Sequence, residues 1–467
     1  MRPLIQKGPT AHTPESLVEH LGAGPGVVLL RTSAFDSPSA RYSIVTANPF
    51  LVFRSLGPRC EISEGPYPTL PIQDNPAAAE DTPSPGGEGR GEGGRTRFPQ
   101  GLNILDQPAA SPPSQPQIQF GNPWKILDAL MSRCEVLDEI DLPFPLGGCF
   151  GYWGYDLKHF NEPKLPHRTV NDLELPDCQV GFYDSLVVFD HHLGRVTVVA
   201  TGVCADGSRS EARARAALKF WLAALQTEPA TSAAPARLTV PMEPGAVVSN
   251  LTRDEFLTAV DRARGYIRSG DIYQVNLSQR LTAPCPVSGW ELFQRLAAVS
   301  PSPFAAYLHC GDFQIASSSP ELFLRLSGSH ILTRPIKGTR PRDPDPTRDA
   351  QLAYELQTST KELAELVMIT DLRAMTSAKS VNTARCKCPT WHGSNALPRC
   401  SIWFPRWKAD CAGRSPISRR WPPASPAGAS PARPNSAPWK SLMNWSPSRV
   451  VPTPAAMATW GLIAKAS

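Results

Sequence analysis

The stretch Pro335-Ile-Lys-Gly-Thr-Arg-Pro-Arg342 places a lysine directly before a glycine, at the open end of a predicted β-hairpin. The arms of this hairpin are residues 321–326 and 331–336, which alternate apolar and polar side chains around a Ser-Gly-Ser-His turn. Folding about the turn pairs the last residue of the first arm with the first of the second, and counting outward puts Glu321 opposite Ile336 or Lys337. An amine and a carboxylate are therefore expected to meet there.

A second carboxylate is expected from the helix that follows. Ser359-x-x-Glu362 has the form of a capping box, and the apolar residues after it predict a helix from Lys361 to Thr370. Glu365 lies one turn beyond Glu362 on that helix. A lone lysine or glutamate is most often a solvated surface charge, so the prediction of a site depends on these residues occurring together.

Blocks of sequence along most of the first 372 residues resemble one enzyme family. The blocks are Arg41-Tyr-Ser-Ile-Val45, Gly147-Gly-Cys-Phe-Gly-Tyr-Trp-Gly-Tyr-Asp156, Leu175-Pro-Asp177, Gly270-Asp-Ile-Tyr-Gln-Val-Asn-Leu-Ser-Gln-Arg280, Ser319-Pro-Glu321 and Lys361-Glu-Leu-Ala-Glu-Leu-Val-Met-Ile-Thr-Asp371. They resemble the chorismate-utilising enzymes, and most closely the group of aminodeoxychorismate synthase component I. Lys337 favours that group, because the similar anthranilate synthases carry a small residue there. The resemblance implies an α+β (mixed α/β) fold, with two large, mostly antiparallel sheets packed face to face, helices outside and an incomplete C-terminal part.

The resemblance also implies roles for individual residues. Chorismate would bind with Mg²⁺ as cofactor, held in part by Glu365, with Gly338 and Thr339 contacting the substrate. Lys337 would attack ring carbon 2 as a free amine, and Glu321 would act as general acid or base for loss of the ring hydroxyl. Ammonia from a separate glutamine amidotransferase subunit would then displace the lysine adduct, giving 4-amino-4-deoxychorismate for para-aminobenzoate and folate biosynthesis.

Another capped helix precedes this region. Thr252-x-x-Glu255 predicts its start, Gly270 its end, and a strand is expected from near Tyr273. Polar residues that alternate on a strand usually mark its solvated face. Given the resemblance, this strand is expected to be core scaffold near the site.

The N-terminal region carries a candidate second site. Related proteins hold a tryptophan where this chain has Leu29-Leu-Arg-Thr-Ser33 and Arg41-Tyr-Ser43, so the resemblance implies a pocket formed by Thr32, Ser33, Tyr42 and Ser43. The aromatic residues of the block 147–156 would supply its walls. The alternative is a sheet corner packed against its neighbour.

Composition limits the class of protein. The 467 residues allow two or three domains, and no apolar run approaches the roughly 20 residues needed to span a membrane. The N-terminus shows no basic region followed by an apolar stretch, and the eleven cysteines lack paired spacing across the first part of the chain. A cytoplasmic location without a membrane partner is therefore expected.

The predicted organisation has three parts. Residues 1–245 form an N-terminal region with an insertion at about 75–116, which is rich in Pro, Gly, Ser and Glu and is expected to be disordered. Another flexible connection is predicted at about 225–248. Residues 246–372 form the part of a catalytic domain that still matches the family pattern. Residues 373–467 form a tail expected to be disordered or poorly packed.

The tail differs sharply in composition from the rest. It holds 14 Lys plus Arg and one acid, Asp410, whereas the preceding residues hold 33 basic and 41 acidic side chains. Seven of the eleven tryptophans also lie in it. The overall charge of +5 is thus a tail of +13 attached to a body of −8.

A reading-frame change explains this composition. With permitted synonymous codons, Ala424 to Ser441 read in an alternative frame gives FPGGSITGAPKFRAMEI, which matches a block that the family pattern requires downstream. Residues 374–396 give RNDLGKVCEYGSVQVPDMARL in the same frame, and residues 440–447 give MEIIDELEP. Three such blocks in order predict the loss of one nucleotide just after the codon for Leu372.

Loss of the family's C-terminal half predicts that this chain is inactive, because sheet partners and a second magnesium glutamate would be missing. Anthranilate synthase component I, or a non-catalytic remnant that only binds the amidotransferase subunit, are the alternatives. The tail could also suggest a zinc cluster, through Cys386, Cys388, His392, Cys400 and Cys411, or a nucleic-acid surface. Its spacing fits no two-pair zinc pattern, and no nucleic-acid partner is expected.

Overall fold

A computed structural model describes residues 2–32, 41–65, 115–136, 140, 142–165, 171–229, 247–327, 330–378, 387–396, 400–410 and 461–465. The helices in these ranges are α1 (Pro14–His20), α2 (Pro123–Arg133), α3 (Lys158–Asn161), α4 (Glu211–Gln226), α5 (Arg253–Arg268), α6 (Gly289–Val299), α7 (Pro346–Thr358) and α8 (Thr360–Ala378). The strands are β1 (Leu4–Gly8), β2 (Val28–Arg31), β3 (Tyr42–Thr46), β4 (Leu51–Leu56), β5 (Arg59–Glu64), β6 (Gln117–Phe120), β7 (Gly148–Trp153), β8 (Cys178–Tyr183), β9 (Ser185–Asp190), β10 (Arg195–Ala200), β11 (Val248–Ser249), β12 (Leu281–Thr282), β13 (Phe304–His309), β14 (Phe313–Ser319), β15 (Leu322–Ser327), β16 (His330–Arg334), β17 (Lys337–Pro341), β18 (Lys387–Ala396), β19 (Cys400–Asp410) and β20 (Gly461–Lys465).

The largest sheet among the described residues is antiparallel throughout, with strand order β1-β10-β9-β3-β2-β13-β14-β20. Helices α1, α4 and α6 pack on one face of it. The core between them contains Leu29, Val187, Trp221, Phe293 and Tyr307, all buried. Each such side chain stabilises the fold by about 1.5–3 kcal/mol when buried, so this layer is a main source of stability.

A second antiparallel sheet, with strand order β6-β5-β4-β8-β7, packs against the other face of the large sheet. Tyr152 and Tyr183 from this sheet lie in one apolar cluster with Val28, Leu308 and Phe313 from the large sheet. The rings of Tyr152 and Phe313 meet edge to face, with centroids 5.9 Å apart. Helix α2 packs against the opposite face of this second sheet, in a separate apolar cluster. The predicted α+β class, with two antiparallel sheets face to face, is confirmed.

The predicted hairpin lies in a third sheet, with order β15-β16-β19-β17 and β18 paired to β19. Leu326 lies opposite Ile331, as predicted. A bulge then shifts the register, so that Leu322 lies opposite Arg334. Glu321 therefore comes to the level of the residue after Arg334, and its predicted position opposite residue 336 or 337 is wrong by one or two residues.

Strands β16 and β17 form one interrupted strand along the same edge of β19. Trp403 pairs with both Lys337 and β18, and Lys408 pairs with both β16 and β18, so β18 occupies the opposite edge. Thr333 lies opposite Trp407 and Lys337 opposite Trp403, which is a single register. Lys337 thus continues the second arm of the hairpin.

The region before the hairpin follows the prediction only in part. Helix α5 has the predicted capping box, in which Thr252 Oγ1 accepts from the Glu255 N–H and the Glu255 carboxylate accepts from the Thr252 N–H. Gly270 follows it with φ +77°. The strand expected from Tyr273 is wrong, because residues 271–280 form no strand and Tyr273 is 76% exposed. A strand needs a partner along its length, and β12 finds only the two residues of β11.

Three short segments of the tail form strands. β19 pairs with β16, β17 and β18, and β20 pairs with β14 at the edge of the large sheet. These segments are therefore not disordered, because backbone N–H and C=O groups at an open sheet edge bind a segment that can complete the ladder. That the tail is poorly packed stays a prediction. Residues 411–460 lie outside the described part.

Two predicted loops lie mostly outside the described residues. The insertion at about 75–116 falls there up to residue 114, and the connection at about 225–248 falls there from 230 to 246. The division into three parts stays a prediction. In the described ranges, no helix combines the length and apolar character needed to cross a membrane.

Candidate active site

Lys337 opens β17 at a bulge that brings the strand backbone against two helices. The register of the ladder with β19 shifts between Lys337 and Thr339, and Gly338 between them has φ +75°. A Cβ atom on Gly338 would lie 2.8 Å from Cδ1 of Leu356 in α7 and 3.1 Å from Cβ of Glu362 in α8. Both the backbone conformation and the close approach therefore require glycine.

Glu321 lies between β14 and β15 in a loop held by serine hydroxyls. Its N–H donates to Oγ of Ser319 at 3.3 Å, and Ser302 Oγ donates to the Ser319 carbonyl at 2.8 Å. Both serines are buried, whereas Glu321 is half-buried. Continuing the two arms at the spacing of a regular sheet would put the backbone positions of Glu321 and Lys337 about 8 Å apart, one strand across and two residues along. Two long side chains can meet over such a distance.

Helix α8 presents two glutamates in its first turns. Ser359 Oγ accepts from the Glu362 N–H at 3.4 Å, so the predicted cap is confirmed at this bond. The helix begins at Thr360 and continues past the predicted end to Ala378. Glu362 and Glu365 are both half-buried, and a separate stripe of the helix buries Leu366 and Ile369.

Two arginines after Lys337 fasten β17 to these helices. Arg340 Nη1 lies 3.6 Å from Oε1 of Glu362. Beyond the strand, Arg342 Nε donates to Oδ1 of Asp349 in α7 at 2.8 Å, and this bond holds the pKa of the Asp349 carboxyl below its usual range. The sequence signal was two arginines ahead of acids in the first turns of two helices, but only the folded chain decides which pairs form.

The two predicted substrate-contacting residues differ in environment. Gly338 faces α7 and α8, whereas Thr339 is exposed. Their role toward a substrate stays a prediction.

The donors near Glu365 fit a magnesium ion held largely by other ligands. Among the described residues, no three or more His, Cys, Asp or Glu side chains come together as a metal cluster. Mg²⁺ takes oxygen ligands, keeps several waters and needs only one or two protein carboxylates. Glu365 supplies one half-buried carboxylate, whereas the carboxylate of Glu362 one turn earlier already lies 3.6 Å from Arg340 Nη1. The assignment of Glu365 stays a prediction.

Three of the four N-terminal candidate residues lie in the described part, and two of them, Tyr42 and Ser43, are consecutive on β3. Ser43 and Thr32 are buried, and Ser43 Oγ accepts from the Thr32 N–H at 3.1 Å and lies 2.7 Å from Nε2 of His191. Tyr42, the neighbour of Ser43 on β3, packs with Phe144 in an apolar cluster away from the Ser43 hydroxyl. Consecutive strand residues point to opposite faces of a sheet, so Tyr42 and Ser43 cannot line one pocket with their side chains.

The remaining parts of that prediction have mixed outcomes. Ser33 lies outside the described residues. The aromatic block does reach this region, because Phe150 packs in the cluster of Tyr42. Burial lowers the pKa of His191, and the positive charge of Arg31 adds to that effect. Whether tryptophan binds here stays a prediction.

Comparison with known proteins identifies relatives of the chain. A family model described as chorismate binding enzyme matches residues 89–388. The chain is 40% identical over 251 residues to aminodeoxychorismate synthase component 1 of Salmonella typhimurium, covering 53% of this chain and 51% of that protein. It is also 40% identical over 235 residues to anthranilate synthase component 1 of Thermus thermophilus, covering 50% and 48%.

A longer match extends over more of the chain. Aminodeoxychorismate synthase component 1 of Escherichia coli is 31% identical over 359 residues, which are 76% of this chain and 63% of that protein. The chain spans about half the length of the Salmonella and Thermus relatives that it matches. An aminodeoxychorismate synthase and an anthranilate synthase are both 40% identical to this chain, so sequence identity does not show which of the two reactions the chain resembles more.

Solved structures support the fold. Anthranilate synthase component I of Streptococcus pneumoniae superposes with a TM-score of 0.66 at 20% identity, covering 92% of this chain and 86% of that one. A menaquinone-specific isochorismate synthase of Escherichia coli gives a TM-score of 0.55 at 12% identity, covering 95% and 77%. At these identities the similarity concerns the fold alone.

Proposed function

We propose, from the premise that this chain belongs to the family of chorismate-binding enzymes, that it derives from an aminodeoxychorismate synthase component I. The reaction of that enzyme would convert chorismate and ammonia to 4-amino-4-deoxychorismate in folate biosynthesis, in the cytoplasm. The observation that carries the proposal is the position of Lys337 beside the Gly338 bulge, where β17 meets the glutamate-bearing turns of α8.

The proposed chemistry assigns each step to a side chain. Lys337 attacks ring carbon 2 as a neutral amine, the ring double bonds shift, and the hydroxyl leaves from ring carbon 4. Hydroxide is a poor leaving group, so Glu321 protonates it as it departs. Ammonia then attacks ring carbon 4, the double bonds shift back, and the lysine amine leaves ring carbon 2 while a proton passes from the added ammonia to the departing amine. Partial burial of Lys337 and Glu321 supports this assignment, because both side chains are partly withdrawn from water.

Magnesium would assist at the substrate carboxylate. Glu365 would hold the ion, with water and substrate as the other ligands, and the bound ion would supply Lewis-acid stabilisation of negative charge. Ammonia would come from a glutamine amidotransferase subunit.

We further propose that this chain is inactive because of a frameshift after Leu372. The basic, Glu-free tail and the three family blocks in one alternative frame support this, as does the exposed segment around Tyr273. An enzyme of this family that lacks its second magnesium glutamate would bind its metal poorly.

Anthranilate synthase component I is the second candidate function. The 40% identity to the Thermus thermophilus enzyme favours it as much as the other relative favours the first. A remnant that only binds the amidotransferase subunit is the non-catalytic alternative, and co-purification without turnover would identify it.

The test compares this chain with a version in which one nucleotide is restored after the codon for Leu372. Both are incubated with chorismate, ammonia and Mg²⁺, and the products are separated by chromatography. We expect 4-amino-4-deoxychorismate from the restored chain only, and Lys337→Ala in that chain should strongly lower turnover because the nucleophile is lost. Robust turnover by the unrestored chain would refute its inactivity, and anthranilate as product would refute the assignment of the reaction.

A further inference from the structure

Glu362 and Glu365 lie one turn apart on α8, but the structure engages only one of them in an ion pair with β17. Arg340 Nη1 lies 3.6 Å from Oε1 of Glu362, and the two side chains are only 27% and 17% exposed. A pair this sheltered is screened less than a surface pair. Arg340 therefore partly neutralises the carboxylate of Glu362, so Glu362 attracts a cation less strongly than Glu365 does.

The side chain of Glu362 is also held mechanically. Gly338 brings the β17 backbone so close that an added Cβ would lie 3.1 Å and 3.2 Å from Cβ and Cγ of Glu362. The arginine is fixed in turn, because its Nη1 also donates to the Thr339 carbonyl at 2.9 Å. The stem and the carboxylate of Glu362 are thus both positioned by the strand that begins with Lys337.

We propose that Arg340 is a positioning residue that keeps Glu362 from binding the metal ion, so that divalent-cation binding at Glu365 depends on the substrate. This inference rests on the proposed function, in which Glu365 holds the ion. Two free carboxylates one turn apart would bind a divalent cation without substrate, whereas one carboxylate leaves most coordination positions to water and to a dicarboxylate ligand such as chorismate. Arg340 removes one of the two negative charges.

The test measures cation binding by this chain and by the version with one nucleotide restored after the codon for Leu372. Mn²⁺ is the spectroscopic probe, and free Mn²⁺ is counted by electron paramagnetic resonance. One positive charge within several Å of a divalent ion in a water-like dielectric changes the affinity for that ion roughly five- to tenfold. Arg340→Met should therefore strengthen Mn²⁺ binding by about that factor. Chorismate should strengthen Mn²⁺ binding to the unmodified chain more than to Arg340→Met.

Four further variants control for a merely structural effect. Arg340→Lys keeps the charge and should bind Mn²⁺ within about twofold of the unmodified chain. Arg342→Met removes the comparable clamp on α7 and should leave the affinity unchanged. Adding Glu362→Gln to Arg340→Met should cancel the gain, and Glu365→Gln should weaken binding in every background. Circular dichroism of each variant checks that the fold is retained.

Two outcomes overturn the proposal in distinguishable ways. Mn²⁺ binding that requires Glu365, but that Arg340→Met leaves unchanged or weakens, overturns the role of Arg340 alone. Absence, in both the unrestored and the restored chain, of any binding that depends on Glu365 overturns the proposed metal site and this inference with it. The identity of the reaction product, measured with the restored chain, is independent of both.

Discussion

Replacing Gly338 by alanine should destabilise the protein by two separable amounts. The residue has φ +75°, a conformation that costs a residue with a Cβ atom about 1–2 kcal/mol. The new methyl group would also lie 2.8 Å from Cδ1 of Leu356, which is fully buried, and 3.1 Å from Cβ of Glu362. Overpacking of this kind costs about 1–3 kcal/mol, so we expect a total loss of about 2–5 kcal/mol.

A matched control separates these two contributions. Gly22 has φ +72°, and an added Cβ there would have no atom within 4 Å, so Gly22→Ala should cost only the backbone amount of about 1–2 kcal/mol. Urea unfolding of both variants, followed by tryptophan fluorescence, gives the two free energies of unfolding. Equal losses for Gly338→Ala and Gly22→Ala would refute the close packing of β17 on α7 and α8.

Three further predictions concern the rest of the described structure. Arg54→Met should lower the free energy of unfolding by about 2–3 kcal/mol, because the Asp312 carboxylate 3.3 Å away keeps its charge but loses its buried partner; a double variant with Asp312→Asn should recover part of the loss in urea unfolding. Exposed Cys285 should react with a thiol reagent in the folded protein, whereas Cys60, whose pKa burial raises to about 11, should react only after unfolding; comparable rates in the native state would contradict the buried position. Hydrogen bonding to an arginine lowers the pKa of Asp172, so its contribution to stability is present above the unfolded carboxyl pKa and is lost as pH falls through the lower folded value; Asp172→Asn should flatten this part of the stability curve measured between pH 6 and pH 2.

Local patterns predicted much of the architecture correctly. The capping boxes at Thr252 and Ser359 marked helix starts because a hydroxyl and the N–H three residues later pair within a single turn. The pairing of Leu326 with Ile331 followed from a short turn between alternating segments. In each case the interacting groups are close in sequence, so no distant part of the chain is needed to define them.

Features that depend on distant partners were less accessible. The strand expected at Tyr273 is missing because a ladder needs a second segment along its length. The bulge near Leu322 shifted Glu321 relative to Lys337, and nothing in an alternating pattern marks where such a bulge falls.

The sequence by itself located the residues to which the proposed chemistry is assigned: a lysine before a glycine, an acid before a hairpin and two glutamates on one helix. It also located the composition change after Leu372. Only the tertiary structure decided that Gly338 packs against Glu362 and that Arg340 pairs with that same glutamate. The physical reason is that an ion pair between a strand and a helix depends on the angle and distance at which the two elements pack, which no local pattern encodes.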